Sequence, residues 1–312
     1  MRIIVLSILL MFTGLKMYSQ NANEYFEMAQ QKIEQKNYQY AMVLIEKAIN
    51  IDNQNQWYYL LKAEIQFKSH NPLEAIETVK ECILINPKEP EPYNRAGSYY
   101  NQVNIPDSSI LMYDLAIQNA KSDSSKYNFI MNRGVTKLTK RDFESALKDF
   151  ETVLLYDPNN TGALNNIGPV YRQLGMIDKC ITSLNKLLSL QPDDLGACIN
   201  LGFVYSKIDS LNLAIEYFNK AIKINPNESI TYNNRGYVYY KRGEYSNALN
   251  DINYSLKLYP DNSYAYRNLA LVYIALNKMN EACTTLGYAK KYDFEKNYGG
   301  EVNELIEKYC EK

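Results

Sequence analysis

The feature that most restricts how this chain can fold is a motif that recurs every 34 residues. Gly168, Gly202 and Gly236 keep this spacing. The same spacing relates three tyrosines and four prolines, namely Tyr171, Tyr205, Tyr239, Pro158, Pro192, Pro226 and Pro260. A fixed period of this length is typical of proteins in which one small unit is repeated and stacked on its neighbours. The spacing therefore predicts an elongated array of repeats and not a single central core.

Extending the motif in both directions gives eight units within residues 22–296. Their ranges are 22–55, 56–89, 90–126, 127–160, 161–194, 195–228, 229–262 and 263–296. The third unit is three residues longer than the others. We expect these extra residues to form a loop in the polar run Lys121–Lys126, because insertions in loops cost little free energy.

Two places in every unit hold a small residue. The eighth place holds Ala29, Ala63, Gly97, Gly134, Gly168, Gly202, Gly236 and Ala270, and the twentieth holds Ala41, Ala75, Ser109, Ala146, Cys180, Ala214, Ala248 and Ala282. Two helices can approach closely only where the side chains at their crossing are short. We therefore predict two helices per unit that cross at these places, with a proline ending the second helix in units 2, 4, 5, 6 and 7.

These units resemble the tetratricopeptide repeat, in which each unit folds as one helical hairpin. The resemblance covers residues 22–296 and implies an all-α, superhelical solenoid of about eight helix-turn-helix repeats. Residues 297–312 follow the array. There Val302, Leu305, Ile306 and Tyr309 have the spacing of one apolar helix face. We predict that this segment is a helix that caps the open end of the last repeat.

The first 19 residues have the character of a secretory signal peptide. Arg2 is followed by a mostly apolar run from Ile3 to Leu15, which is shorter than the roughly 20 residues that a membrane-spanning helix needs. We expect cleavage near Ser19 and a periplasmic, envelope-associated or secreted protein. Lys16 and Met17 fit the usual cleavage-site pattern poorly, so an uncleaved anchor is the alternative.

Composition and motifs argue against several function classes. The formal net charge is −1 and the pI is about 6.1, whereas a protein that coats nucleic acid needs a strong basic excess. The sequence has no phosphate-binding loop, zinc-protease or serine-hydrolase motif, so we predict neither catalysis nor a cofactor or metal. His70 is the only histidine, and we place it in a solvated turn. We interpret the carboxylates of Asp142, Glu144, Asp149 and Glu151 as a solvated helix face.

The five cysteines, Cys82, Cys180, Cys198, Cys283 and Cys310, lack the spacing of a metal site. Small apolar filler is the default interpretation for them. Cys283 and Cys310 are the exception that we keep open. Cys283 begins a second helix and Cys310 ends the antiparallel capping helix, so an exported protein could join them in a disulfide.

The sixth place of units 4 to 8 is always asparagine. These residues are Asn132, Asn166, Asn200, Asn234 and Asn268. The family resemblance implies that this place faces a concave groove, and the row resembles the asparagine ladder in the repeats of O-linked N-acetylglucosamine transferase, which holds peptide backbone. A carboxamide matches the paired C=O and N–H of an extended chain because it has both a donor and an acceptor. Inheritance by repeat duplication, without use, is the alternative.

We also place other polar, aromatic and basic residues on or near this face. They are Asn165, Asn233, Arg267, Tyr237, Phe203, Arg172, Tyr240, Lys207 and Lys241. Units 1 to 3 instead have Glu27, Leu61 and Arg95 at the sixth place, so the row stops there. The sequence thus predicts a non-catalytic adaptor that binds an extended peptide or protein segment. A membrane-anchored structural subunit of an envelope assembly is the alternative.

Overall fold

The computed structural model describes residues 22–311, and throughout this range short turns join α-helices. No strand occurs within it. The predicted signal peptide, residues 1–19, lies outside the described residues. The helices are α1 (22–34), α2 (Tyr38–Ile51), α3 (Gln56–Lys68), α4 (Pro72–Ile85), α5 (Pro90–Gln102), α6 (Pro106–Gln118), α7 (Asp123–Thr139), α8 (Phe143–Tyr156), α9 (Thr161–Gln173), α10 (Ile177–Leu190), α11 (Leu195–Lys207), α12 (Leu211–Ile224), α13 (Ser229–Lys241), α14 (Tyr245–Leu258), α15 (Ser263–Ala275), α16 (Met279–Lys291), α17 (Phe294–Tyr298) and α18 (Glu301–Tyr309).

The helices are grouped in two compact units. The N-terminal unit is Met1–Pro158 and the C-terminal unit is Asn159–Lys312. Within each unit, consecutive helices pack in antiparallel hairpins, and each hairpin contacts the next. In the C-terminal unit the first helices of the hairpins, α9, α11, α13 and α15, also contact one another in that order. The predicted all-α architecture of stacked helix-turn-helix repeats is therefore confirmed.

The small residues lie where the two helices of each hairpin cross. All sixteen residues of the eighth and twentieth places are buried. A Cβ atom added to Gly202 would lie 2.6 Å from Cε1 of Phe218, which is too close for two carbon atoms. The close helix crossing that the sequence predicts is confirmed, and it explains why no larger residue occurs at these places.

The prolines between hairpins end the second helices as predicted. α4, α8, α10, α12 and α14 each end two residues before a proline, at Ile85, Tyr156, Leu190, Ile224 and Leu258. The intervening residue, such as Asn225 before Pro226, has an extended backbone (φ −136°, ψ 98°). This is the conformation expected of a residue that precedes proline, because the ring excludes it from the helical region.

The extra residues of the third unit do not form the loop that we expected from the sequence. Instead they lengthen α7, which has 17 residues against 13 in α5 and α9. Ser122 and Ser125 form a reciprocal capping box that begins the helix at Asp123, before the expected start of the fourth unit at Tyr127. A polar run that carries good capping residues can therefore extend a helix by one turn.

The turn inside each hairpin contains one residue with a positive φ angle, always at the fifteenth place. These residues are Lys36, His70, Asn104, Arg141, Gly175, Asp209, Gly243 and Asn277. Only two of the eight are glycine, so the geometry that the eight turns share is not apparent from residue identity. His70 is exposed in its turn, as predicted.

Asp149 is not part of the solvated face that the sequence suggested. It is 4% exposed, and its carboxylate accepts hydrogen bonds from Arg133 (2.6 and 2.9 Å) and pairs with Lys137 (2.8 Å). Arg235 and Asp251 form the same bidentate pair in α13 and α14, at 2.7 Å for both contacts. An arginine at the seventh place with an aspartate at the twenty-third place was the sequence signal for this buried pair.

The C-terminal segment packs on the last hairpin, which confirms the predicted amphipathic helix. α18 contacts α16, and its Val302 is fully buried in a cluster with Ala270, Leu286 and Phe294. Cys283 and Cys310 form a disulfide with a Cα–Cα distance of 5.7 Å. The three other cysteines are free and buried, in agreement with a packing role.

Candidate binding surface on the first helices

Each asparagine of the row lies on the first helix of its hairpin. Asn132 belongs to α7 in the N-terminal unit, and the other four belong to α9, α11, α13 and α15 in the C-terminal unit. Because those four helices contact one another in order, the C-terminal unit contains a row of amides on neighbouring helices. We call this row the amide surface, together with the aromatic and basic residues beside it, which are Phe203, Tyr237, Arg172 and Lys207.

Three members of the row have amide groups available to a ligand. Asn166, Asn200 and Asn234 are half-buried. Nδ2 of Asn166 donates to the carbonyl of Gly162 one turn earlier, at 2.8 Å, and its Oδ1 is left to accept. Asn200 and Asn234 make no side-chain hydrogen bond within residues 22–311. Asn165 is exposed on α9 next to Asn166.

The C-terminal end of the row is closed, which corrects three of the predicted site residues. Asn268 is fully buried: its Nδ2 donates to Oδ1 of Asn233 at 2.9 Å, and its Oδ1 accepts from Nη1 of Arg267 at 2.8 Å. Asn233 and Arg267 are 2% and 8% exposed. Arg267 also donates to Glu301 of α18, with Nε 3.0 Å from Oε2. The capping helix thus places its own carboxylate on Arg267, and these three residues are unavailable to a ligand.

Asn132, the member in the N-terminal unit, is half-buried and already has a partner. Its Nδ2 donates to Oδ1 of Asn94 on α5, at 3.0 Å. This amide–amide contact leaves the oxygen of Asn132 to accept a further hydrogen bond, whereas Nδ2 of Asn94 already donates to Oε2 of Glu91 at 3.2 Å.

Aromatic and basic side chains lie beside the free amides. Phe203, Asn234 and Tyr237 line one small cavity together with Lys207. Cζ of Arg172 lies 4.6 Å and Nζ of Lys207 5.4 Å from the centre of the Phe203 ring, so two cations share one ring. Such a surface can hold peptide backbone with its amides and an aromatic or negatively charged side chain with its rings and cations.

The arginines of the C-terminal unit differ in their electrostatic surroundings. Burial alone would lower the pKa of Arg235 and Arg267, but hydrogen bonds to the carboxylates of Asp251 and Glu301 outweigh it and raise the pKa of both. Burial lowers the pKa of Arg172, and Nε of Arg172 has no hydrogen-bond partner. The sequence did not reveal this difference, because it depends on which carboxylates the fold brings near each guanidinium.

The N-terminal unit has a different cleft on its first helices. It has a volume of about 460 Å³, and its lining includes Phe26, Tyr58, Leu61 and Arg95. Leu61 and Arg95 occupy the sixth place, where the C-terminal unit has asparagine. Arg95 is held by Glu91 at 2.9 Å. This cleft is therefore more apolar than the amide surface and does not continue its chemistry.

The described residues contain neither a plausible membrane span nor a metal site. Between residues 22 and 311 no helix combines the length and apolar character that are needed to cross a bilayer. In the same range no three His, Cys, Asp or Glu side chains are grouped so that they could hold a metal ion.

Comparison with known families identifies tetratricopeptide repeats in the C-terminal unit. Residues 196–228 and 229–262 match one tetratricopeptide repeat model, and residues 161–194 match another. The matched stretch contains Asn166, Asn200 and Asn234. A comparison with curated proteins gave no match.

Solved structures share the fold at low sequence identity. One is the Cut9–Hcn1 hetero-tetramer of the APC/C, with a TM-score of 0.64 and 18% identity over 91% of this chain and 55% of that one. A tetratricopeptide repeat protein from Parabacteroides merdae has a TM-score of 0.57 and 17% identity over 92% of this chain and 98% of its own. PilW, described as a type IV pilus biogenesis factor, has a TM-score of 0.58 and 20% identity over 66% and 94%. At such identities these likenesses show the fold alone.

Proposed function

We propose that this protein is a non-catalytic adaptor that binds an extended peptide or protein segment on the amide surface of its C-terminal unit. The observation that carries the proposal is the row of half-buried amides on α9, α11 and α13, namely Asn166, Asn200 and Asn234. Their stretch of the chain matches tetratricopeptide repeats, which are protein-interaction scaffolds. Asn165 and Tyr237 lie on the same helices and extend the surface.

The spacing of the amides suits an extended chain. Packed helices lie about 8 to 10 Å apart, and an extended strand rises roughly 3.3 Å per residue, so one amide meets about every third residue. The carboxamides of Asn200 and Asn234 can each donate to a backbone carbonyl and accept from a backbone N–H, whatever the side chains of the segment, and Oδ1 of Asn166 can accept from a backbone N–H. The sequence of the bound segment would then be selected by the neighbouring rings and cations.

A differential pull-down tests this proposal. The wild-type chain and the Asn200→Ala/Asn234→Ala double variant are immobilised and exposed to the same extract, and captured proteins are compared by mass spectrometry. Asn253→Ala is the matched control, because Asn253 is exposed on α14, a second helix. We expect a partner that the wild type and the control capture and the double variant loses. Equal capture by all three would contradict binding through the amides.

We also propose that the chain is exported, so that its partner is a protein of the periplasm, the cell envelope or the exterior. The apolar run Ile3–Leu15 after Arg2 supports this proposal, as does the disulfide between Cys283 and Cys310, a bond that persists in oxidising compartments. N-terminal sequencing of the protein from its native host should give a start near Gln20. Full-length chain with Met1 intact in a soluble cytoplasmic fraction would contradict export.

A membrane-anchored structural subunit of an envelope assembly is the second candidate. It is favoured by leucines that are exposed on second helices of the N-terminal unit, where Leu84 is 79% and Leu155 86% exposed. Exposed apolar side chains on these second helices are available for packing into a larger assembly. Recovery of the intact N-terminus in the membrane fraction would support this function, and the cleaved soluble form would exclude it.

A further inference from the structure

We propose that Arg172 and Lys207 form an anion subsite within the amide surface, and that it binds the carboxylate of an Asp or Glu side chain in the bound segment. This inference rests on the proposed peptide-binding function, because it specifies which segments the same surface accepts. The fold provides no carboxylate partner for Arg172, and the carboxylate of the bound segment would take that place.

Two other arginines of the C-terminal unit, the half-buried Arg235 and the buried Arg267, have the carboxylate partner that Arg172 lacks. Arg235 stacks on Tyr232 and Tyr239 at 5.6 and 5.7 Å and is neutralised by Asp251. Arg267 stacks on Tyr237 and Tyr264 at 5.6 and 5.7 Å and is neutralised by Glu301. In both cases the guanidinium lies against aromatic rings and a carboxylate of the same chain completes the contact.

Arg172 has the ring and lacks the carboxylate. Its Cζ lies 4.6 Å from the centre of Phe203, the shortest of these stacking distances. Within residues 22–311 it forms no ion pair, and its Nε is buried without an acceptor. Burial lowers the pKa of Arg172, whereas that of Arg95, Arg133, Arg235 and Arg267 is raised by their carboxylate partners.

A half-buried guanidinium whose buried nitrogen has no partner carries a desolvation cost. A buried donor without a partner loses its hydration without gaining a hydrogen bond. Arg172 lies in the last turn of α9, where the helix dipole favours a cation, but the dipole does not provide Nε with an acceptor. An incoming carboxylate would supply the opposite charge that the half-buried guanidinium lacks.

Lys207 adds a second positive charge at the same ring. Its Nζ lies 5.4 Å from the centre of Phe203, and its side chain is exposed and makes no ion pair in the described part of the chain. Lys207 and Phe203 share α11 with Asn200. Both also line one small cavity with Asn234, so a segment whose backbone is held by Asn234 would bring an acidic side chain beside Lys207 and Phe203.

Binding of two peptide pools to the full chain tests the inference. Both pools contain acetylated and amidated peptides of about ten residues, enough to cross three helices. The first pool contains Glu, and in the second every Glu is replaced by Gln. A third pool with Gln and a free C-terminus separates a side-chain carboxylate from a terminal one. The variants are Arg172→Gln/Lys207→Gln and the control Lys257→Gln, which removes the same kind of charge from an exposed site on α14.

We expect the wild type and Lys257→Gln to bind the Glu pool about tenfold more tightly than the amidated Gln pool, as charge-assisted hydrogen bonds typically provide. The Arg172→Gln/Lys207→Gln variant should bind both pools equally. Equal binding of both pools by the wild type, weakened by Asn200→Ala/Asn234→Ala, would overturn the anion subsite and leave peptide binding intact. Preference for the free C-terminus alone would overturn the side-chain assignment, and binding of no pool would overturn both proposals.

A stability measurement separates a binding role from a structural one. Because Arg172 lacks a partner in the chain, Arg172→Gln should leave the thermal unfolding midpoint unchanged or raise it. By contrast, Arg235→Gln breaks a paired contact and should lower it by several degrees. A comparable fall for Arg172→Gln would show that Arg172 stabilises the fold and would overturn its assignment to a ligand.

Discussion

At the scale of single residues, the structure adds buried ion pairs between the two helices of a hairpin to the pattern of small residues seen in the sequence. Arg133 and Asp149 join α7 to α8, and Arg235 and Asp251 join α13 to α14. Taking such charges out of water is costly, and the bidentate geometry offsets much of that cost. Removing one partner should therefore lower the free energy of unfolding by far more than the pair as a whole contributes to it.

The Arg133–Asp149 pair gives a direct prediction. Asp149→Ala leaves Arg133 and Lys137 without their shared carboxylate and should destabilise the hairpin by about 3 kcal/mol or more. Asp114→Ala is the matched control, since the Asp114 side chain pairs with the same Arg133 but is 48% exposed; we expect less than about 1 kcal/mol. Amide hydrogen exchange in α7 and α8 measures both. Similar losses for the two variants would contradict the buried-pair account.

The helix-crossing glycines give a second prediction. Gly202→Ala places a Cβ 2.6 Å from Phe218 and should cost about 1 to 3 kcal/mol through overpacking. Gly287→Ala in α16 meets no atom within 4 Å and should raise stability by roughly 0.5 to 1 kcal/mol. Chemical denaturation of the two variants should shift the midpoint in opposite directions. A loss of stability for both would show that steric crowding is not what selects glycine.

At this scale the sequence predicts residues whose role recurs in every unit. The buried small residues at the eighth and twentieth places were predictable because eight units share one helix crossing. The burial of Asn268 was not, because its partner Arg267 is neutralised by Glu301 from outside the repeats. The turn residues with a positive φ angle could not be predicted for another reason. Six residue types, among them Lys36 and Gly175, adopt the same backbone geometry at this place.

At the scale of single elements, α18 shows how a terminal helix can change the repeat beneath it. It buries Val302 on the last hairpin, is linked to α16 through Cys283 and Cys310, and extends Glu301 to Arg267. Its amphipathic pattern predicted the helix and the packing face. The pattern could not predict that a carboxylate on the same helix would close one end of the amide surface.

Cutting the link between α16 and α18 should have a local effect. The bond spans a sequence separation of 27, and in the chain-entropy account a loop of this size is worth roughly 3.5 kcal/mol. Cys283→Ser should therefore lower amide protection in α15 to α18, whereas α9 to α12 keep theirs because repeats stabilise only their neighbours. Uniform loss across the C-terminal unit would contradict this expectation. Unfolded, non-reduced protein should contain three free thiols, and five would exclude the bond.

At the scale of the whole molecule, each unit has its own buried clusters. Ala41, Leu44 and Ile45 belong to a cluster of the N-terminal unit, and Ala248, Ile252 and Leu269 to one of the C-terminal unit. The 34-residue period predicted that the repeats stack on one another. It did not predict that the chain divides into two compact units after Pro158, since the period continues through this point. Contacts, not the repeat motif, define the two units.

The independence of the C-terminal unit can be tested by expressing residues 159–312 alone. We expect a helical circular dichroism spectrum and a cooperative thermal transition, because the clusters of this unit contain only its own residues. The fragment should also retain binding of any ligand that uses Asn166, Asn200 and Asn234. An unfolded fragment would show that the hairpins of the N-terminal unit are needed for its stability.

The central claim is that the free amides of the C-terminal unit hold a peptide backbone. Its most direct test is a calorimetric titration of the partner segment recovered by pull-down against the wild type, Asn200→Ala/Asn234→Ala and the control Asn253→Ala, with circular dichroism to confirm folding. Each lost hydrogen bond is worth about 0.5 to 1.5 kcal/mol, so the double variant should bind roughly five- to a hundredfold more weakly. The control should bind like the wild type. Unchanged affinity in a folded double variant would contradict the claim and show that the asparagines are inherited by repeat duplication without a role in binding.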